Sequence, residues 1–205
     1  MEKKTTYAKE RERADIVERR KNWPSEIGDT PAEKLVFIDE SHASTDMARK
    51  YGWSQSNQRT IGSVPQGHYK TQTMLAGIRL SGSVAPVVFD GSINGEIYAD
   101  WVEQFLIRDL QPGDVVIADN LAAHMNVRAM NLIEAAGCRV LFLPQYSPDL
   151  NPIEEMWSKI KSILREIEAR TIDALYDAVA VALDRITLSD CRGFFKHSGY
   201  LEIPS

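Results

Sequence analysis

Three short apolar runs constrain this chain more than any other feature: LVFID at 35–39, VVIAD at 115–119 and RVLFL at 139–143. Each is a handful of strand-forming side chains with almost no polar alternation, the pattern of a strand buried on both faces. A chain carrying three of them must cover a sheet with other layers. The residues between them supply those layers. TMLAGIRLSG and SVAPVVFDG read as a hairpin around a Gly-containing turn. Ile97, Trp101, Val102, Phe105 and Leu106 give a helical period over 94–109, and 126–136 reads as a helix stopped by Gly137. Two more helices are expected at about 152–168 and 172–185, followed by a short C-terminal piece with Phe194 and Phe195. The order is strand, hairpin, helix, strand, helix, strand, helix, helix: an α/β fold with a central mixed sheet flanked by helices.

Ahead of the first run, residues 1–22 alternate charges with few apolar positions and read as a solvated helix or arm ended by Trp23-Pro24. Residues 1–34 carry nine Lys/Arg and eight Asp/Glu, leaving 15 and 21 for the rest, so the main body is acidic. That argues against strong nonspecific nucleic-acid binding by the body alone, because phosphate neutralisation supplies most of such affinity. It leaves room for a metal site built of carboxylates. No apolar run approaches the roughly 18 residues of a membrane span. Cys138 and Cys191 stand far apart and off metal-ligand spacing, which indicates neither a disulfide framework nor a zinc finger and fits a reducing cytoplasm.

Two of the buried runs close on a carboxylate, Asp39 and Asp119. Ligands of open α/β sheets bind outside the carboxyl ends of strands. If the two strands are neighbours, these acids converge, and converging acids call for a cation or a shared proton. Strand-end Asp residues also cap loops through Asx-turns, so either one alone decides nothing. A third acid comes from SPDLNPIEEMW. Asn151 is placed as an N-cap, Pro152 as the first helical residue and Glu154 as the third position of a capping box. Helical phase separates the paired glutamates. Ile153, Met156, Trp157, Ile160, Leu164 and Ile167 form the apolar stripe; Glu154 runs in line with Ser158, Lys161 and Arg165, and Glu155 pairs with Lys159 at the surface. Glu154 thus heads a track with two cations, suited to a carboxylate on a metal beside a phosphate backbone. Trp101 and Trp157 read as core.

Asp39 in FIDES, Asp119 in ADNLAAH, and SPDLNPIEEMW with 34 residues between Asp119 and Glu154 together resemble the catalytic domain of DDE transposases of the insertion-sequence 630 type, within the Tc/mariner superfamily. The likeness extends through PQGHYKTQTMLAGIRLSG, DGSINGEIYADWVEQFL and the HSGY near the end. It begins at about residue 35, after the charged N-terminal helix or arm read over 1–34, and implies an RNase H-like catalytic domain over 35–205. It also implies a catalytic triad of Asp39, Asp119 and Glu154 holding two Mg2+ ions, with Mn2+ able to substitute. Asp39 would bridge the metals, and Asp119 and Glu154 would each hold one. The implied activity is phosphodiester cleavage at transposon ends and strand transfer into target DNA at TA. The implied partners are double-stranded terminal-repeat and target DNA, a second copy of the chain, and a helix-turn-helix recognition region expected outside these residues. The implied location is the bacterial cytoplasm, at the nucleoid.

Around the triad, Asn120 is a candidate to support the ligands, His124 is either a support for the ligands or the scissile phosphate or a structural loop histidine, and Lys161 and Arg165 are candidates to contact DNA. Lys70, His68 and Tyr69 are either DNA contacts or an exposed strand edge, and His42 is read as an incidental loop residue. The stretch YGWSQSNQRT at 51–60 lacks the Arg-Gly element expected after its tyrosine-glycine. Two other readings stand beside the transposase: a noncatalytic, transposase-derived protein that pairs with and inhibits a full-length enzyme, and a phosphatase with His42 and His124 among its ligands.

Overall fold

The computed structural model describes residues 8–49, 51–52, 54–55, 59, 61–62, 67 and 69–201. Helix α1, Ala14–Ile27, leads into β1, Leu35–Ser44. The hairpin is β2, Thr71–Arg79, and β3, Gly82–Asp90. A continuous helical run follows, α2 at Gly95–Trp101, a π-helical turn at Val102–Leu106 and α3 at Ile107–Asp109. Then come β4, Val115–Ala118, α4, Val127–Ala135, and β5, Arg139–Phe142. Helices α5, Pro152–Ile167, α6, Ile172–Asp184, and α7, Leu188–His197, complete the described elements.

The strands form one sheet in the order β3-β2-β1-β4-β5. The pairs β1/β2 and β2/β3 are antiparallel, and β1/β4 and β4/β5 are parallel. Strand alternation distributes β1 between two cores. Leu35 and Phe37 join Met74, Ile117 and the inner faces of α5, α6 and α7, whereas Val36 and Ile38 join Leu75, Val116, Tyr98 and Val102 on the opposite face. Gly77, opposite Ile38, lets β2 approach: an added Cβ would stand 3.2 Å from both Ile38 Cγ2 and Val84 Cβ.

Several local expectations are corrected. β1 does not stop at Asp39 but runs to Ser44, because Glu40 to Ser44 continue the ladder with β2. The charged N-terminal segment is helical but not merely solvated. Ile16 and Trp23 are buried at 4% and 2%, and the helix passes through Pro24 to Ile27. Its arginines hold it down: Arg19 donates to the Phe142 carbonyl, and Arg20 and Arg11 both bind Asp149. The C-terminal piece is a full helix, α7, begun by a Thr187–Asp190 capping box and buried through Cys191 and Phe195. In α5 the apolar stripe includes Ile163 at 7%, while Ile167 at the helix end is 37% exposed. Both cysteines are free and buried.

Candidate active site

Because β1 and β4 are parallel neighbours with Phe37 level with Ile117, Asp39 and Asp119 leave the sheet side by side. The first turn of α5, packed across β1, brings in Glu154. All three acids line a single cavity of about 460 Å³, together with Asn120, Leu121, Asn151 and the loop from Leu143 to Pro148. Tyr146 in that loop sits at φ 56°, a left-handed conformation that costs a non-glycine residue energy, and it is among the residues that line the cavity.

The electrostatics follow from crowding. Burial, and then the charges of Glu40, Glu154 and Asp119, push the Asp39 carboxyl up to about 8. Burial also raises the Glu154 carboxyl, against the pull of Lys161 about two turns along. Asp119 behaves differently. Burial works to raise it, but the hydrogen bond with His124 and one from the Leu121 amide outweigh that and hold it low. For His124, burial opposes the charge, yet Asp119 and then Glu40 overcome it and lift the ring to about 9. An imidazolium with a carboxylate on each side is therefore built in behind Asp119.

A hard divalent cation fits this donor set. The three acids offer only oxygen, they repel one another as they stand, and the strongest repulsion falls on the central one. Among the described residues no three such side chains are already placed to hold an ion by themselves. The remaining positions of a coordination sphere fall to water and substrate, as is usual for Mg2+.

The helix start departs from expectation. Asn151 makes no side-chain cap: the Glu154 amide bonds the Asn151 carbonyl at 3.2 Å, and Asn151 Oδ1 is buried without a hydrogen-bond partner among the described residues. The capping box fails because a 3-10 turn, Pro148–Leu150, runs directly into Asn151 and buries its side chain. The Glu154 side chain is consequently left to the cleft. Glu155 is not paired with Lys159 at the surface; it is half-buried beside His197 at 3.2 Å, and Lys159 binds Asp190.

Of the other candidates, Asn120 lines the cavity but its amide donates to the Leu143 carbonyl at 2.6 Å, which fixes the exit of β4 against the loop after β5. Lys161 faces Glu154; Arg165 lies farther along in a neighbouring groove with Arg49 and Tyr51. His42 is exposed on β1 and does not line the cavity, so a ligand set with both histidines is not assembled. The backbone of Lys70 pairs with Thr45, its side chain and Tyr69 are exposed, and His68 lies outside the described residues, as does part of 51–60. Trp101 and Trp157 are core, each 3% exposed. The sequence reading missed Glu40 and Tyr98, which enclose His124 from behind; strand alternation along FIDES was the signal that could have placed Glu40.

Comparison with known proteins bears on the family and the fold. A family model described as DDE superfamily endonuclease matches residues 34–176. The Tc1 transposable-element transposase of Caenorhabditis elegans is 24% identical over 169 residues, 76% of this chain and 61% of its own length. Among solved structures, the Mos1 transposase paired-end complex with left transposon end superposes with a TM-score of 0.77 at 18% identity, over 97% of this chain and 63% of that one. The catalytic domain of Mos1 mariner transposase gives 0.70 at 15%, over 95% and 92%. The chain thus spans a little over three-fifths of the longer relatives and nearly all of the isolated catalytic domain. Its mixed five-stranded sheet between helices is the RNase H-like fold that the sequence led us to expect. Matched along most of its length, and with its acids gathered at one end of that sheet, the chain belongs to the DDE superfamily of endonucleases.

Proposed function

We propose that this chain is the catalytic part of a Tc/mariner-type transposase, cutting phosphodiester bonds at transposon ends and joining the freed end to target DNA at TA. The observation that carries the proposal is the meeting of Asp39, Asp119 and Glu154, from three separate elements, around one cleft. Two divalent cations bound there would activate water, or later a 3′-hydroxyl, and stabilise the leaving oxygen. Mos1 structures with Mn and with Mg support divalent metal use for this fold. Asp39, on the central strand of the sheet, would serve both ions, and its crowding makes it the group most relieved by them. Asp119 offers the oxygen that His124 and the Leu121 amide do not occupy. Glu154 completes the set from a helix N-terminus, where the macrodipole favours its negative charge. Lys161 and, beyond it, Arg165 would receive the DNA backbone.

The same proposal includes terminal-repeat and target DNA as partners, a homodimer that cuts two ends together, end recognition by a helix-turn-helix region outside these 205 residues, and a nucleoid-associated cytoplasmic location. Paired-end DNA complexes of Mos1 support the DNA partners. A noncatalytic partner protein would have no use for three acids held at this electrostatic cost, which favours the enzyme.

The test is cleavage of a terminal-repeat duplex with Mg2+ or Mn2+ by the chain joined to its recognition region. Asp39→Ala and Glu154→Ala should each lose several kcal/mol of transition-state stabilisation, on the order of 10³-fold in rate. Equal rates for wild type and both variants would sink the proposal.

A further inference from the structure

β1 presents two consecutive acids to opposite faces of the sheet. The alternation that sends Leu35 and Phe37 toward α5 carries Asp39 the same way, and the one that sends Val36 and Ile38 toward α2 carries Glu40 with them. Glu40 accordingly does not line the catalytic cavity. It meets His124 instead. That side chain is completely buried, its ring 4.9 Å from Tyr98, and its two nitrogens face two carboxylates. Nδ1 lies 2.7 Å from Asp119 Oδ1, and Nε2 lies 3.2 Å from Glu40 Oε2. The second contact is close but imperfectly aligned, and neither of its atoms has a hydrogen-bond partner among the described residues. Asp119 Oδ1 also accepts the Leu121 amide at 2.8 Å, which occupies that oxygen from behind and leaves Oδ2 as the one toward the cleft.

We propose that Glu40 is a positioning residue for Asp119: by engaging the far nitrogen of His124 it keeps Nδ1 on Asp119 Oδ1 and so fixes which carboxylate oxygen is offered to a divalent cation. The inference rests on the reading of Asp119 as a metal ligand. Groups that orient a ligand from behind typically change metal affinity by about 10–100-fold when removed. Glu40 would reach an ion only through His124 and Asp119.

The experiment is a calorimetric titration of the full chain with Mn2+ alone, for wild type, Asp119→Ala, Glu40→Ala and Glu40→Gln, with the His124 ring nitrogens followed by NMR before metal is added. Glu40→Ala should weaken Mn2+ binding about tenfold and shift the His124 ring signals. Glu40→Gln removes the same charge but keeps an oxygen facing Nε2, and should stay within about threefold of wild type. If Glu40→Ala fails to fold, Glu40→Leu fills the same space without a hydrogen-bonding group and takes its place. Unchanged affinity and ring signals in the folded variant overturn the inference, and so does an equal loss in the Ala and Gln variants, since that would report charge rather than positioning. Binding that is lost in Asp119→Ala and indifferent to Glu40 refutes Glu40 alone. Binding indifferent to Asp119→Ala refutes the metal site and the inference with it.

Discussion

Asp39 is the residue on which the site's electrostatics concentrate. Its carboxyl stands at about 8 in the fold against 3.8 without it, so between those values the folded protein holds a proton that the unfolded chain has released. Stability from this group is present below about pH 4 and is lost as the pH rises through 8. Metal-free protein should therefore melt at progressively lower temperature from pH 5 to pH 8. Asp39→Asn should flatten that slope and melt above wild type at pH 8, while no longer gaining stability from Mn2+. Cation binding to wild type has the opposite dependence, strengthening toward pH 8 as the proton to be displaced disappears. Calorimetric melts across pH, with and without Mn2+, check both. The meeting of Asp39, Asp119 and Glu154 at one cleft was legible in sequence because strand-end position, helical phase and spacing each narrowed the choice of acid. Glu40 was not. It sits beside Asp39 in the chain, and only the far face of the sheet, with His124 coming from another loop, gives it something to do.

At the scale of elements, the apolar runs and the hairpin were readable because burial on two faces leaves a continuous hydrophobic signature. The two helices misjudged in sequence are those whose buried side is sparse. α1 buries only Ile16, Trp23 and Ile27, and fills the rest of its contact with arginines. α7 buries Cys191 and Phe195 and depends on its start. There Thr187 and Asp190 cap one another, and Lys159 of α5 binds the same carboxylate. Thr187→Ala should cost about 1 kcal/mol, read as a lower urea midpoint with unchanged slope. The hydrogen bond from Lys159, and next those from Thr187, hold Asp190 down at about 2, so its contribution is present above about pH 4 and fades as the pH falls through 2. The Thr187→Ala difference should shrink over that range. The failed cap at Asn151 teaches the converse. Residue types alone suggested a box, but the turn before Pro152 had already committed the side chain to the interior.

At the scale of the molecule, the sheet's two cores meet the chemistry at one end, and the N-terminal segment braces the loop that leads to Glu154. Arg20 and Arg11 converge on Asp149, Arg19 holds Phe142, and Arg139 reaches back to the Ile27 carbonyl and Thr30. A double-mutant cycle between Arg20→Ala and Asp149→Ala should show coupling on the order of 1 kcal/mol in chemical denaturation. Trp23→Ala should destabilise by about 3–5 kcal/mol, as expected for an aromatic removed from a core, whereas Trp23→Phe should cost only about 1 kcal/mol, near the worth of its hydrogen bond.

That hydrogen bond belongs to a short relay. The Trp23 indole donates to the Tyr200 hydroxyl at 2.9 Å, and Tyr200 donates to the Leu150 carbonyl at 2.6 Å. Three stretches of chain, the first two more than a hundred residues apart and the last 50 residues farther on, are joined at a point four residues before Glu154. Local opening is then shared rather than private: the amides of Leu150 and Asn151, protected by the turn at Ser147 and Pro148, should exchange with solvent at the free energy that releases α1. In Trp23→Phe, hydrogen exchange should quicken together at those two amides and at the amide of Gly28, although the substitution touches neither.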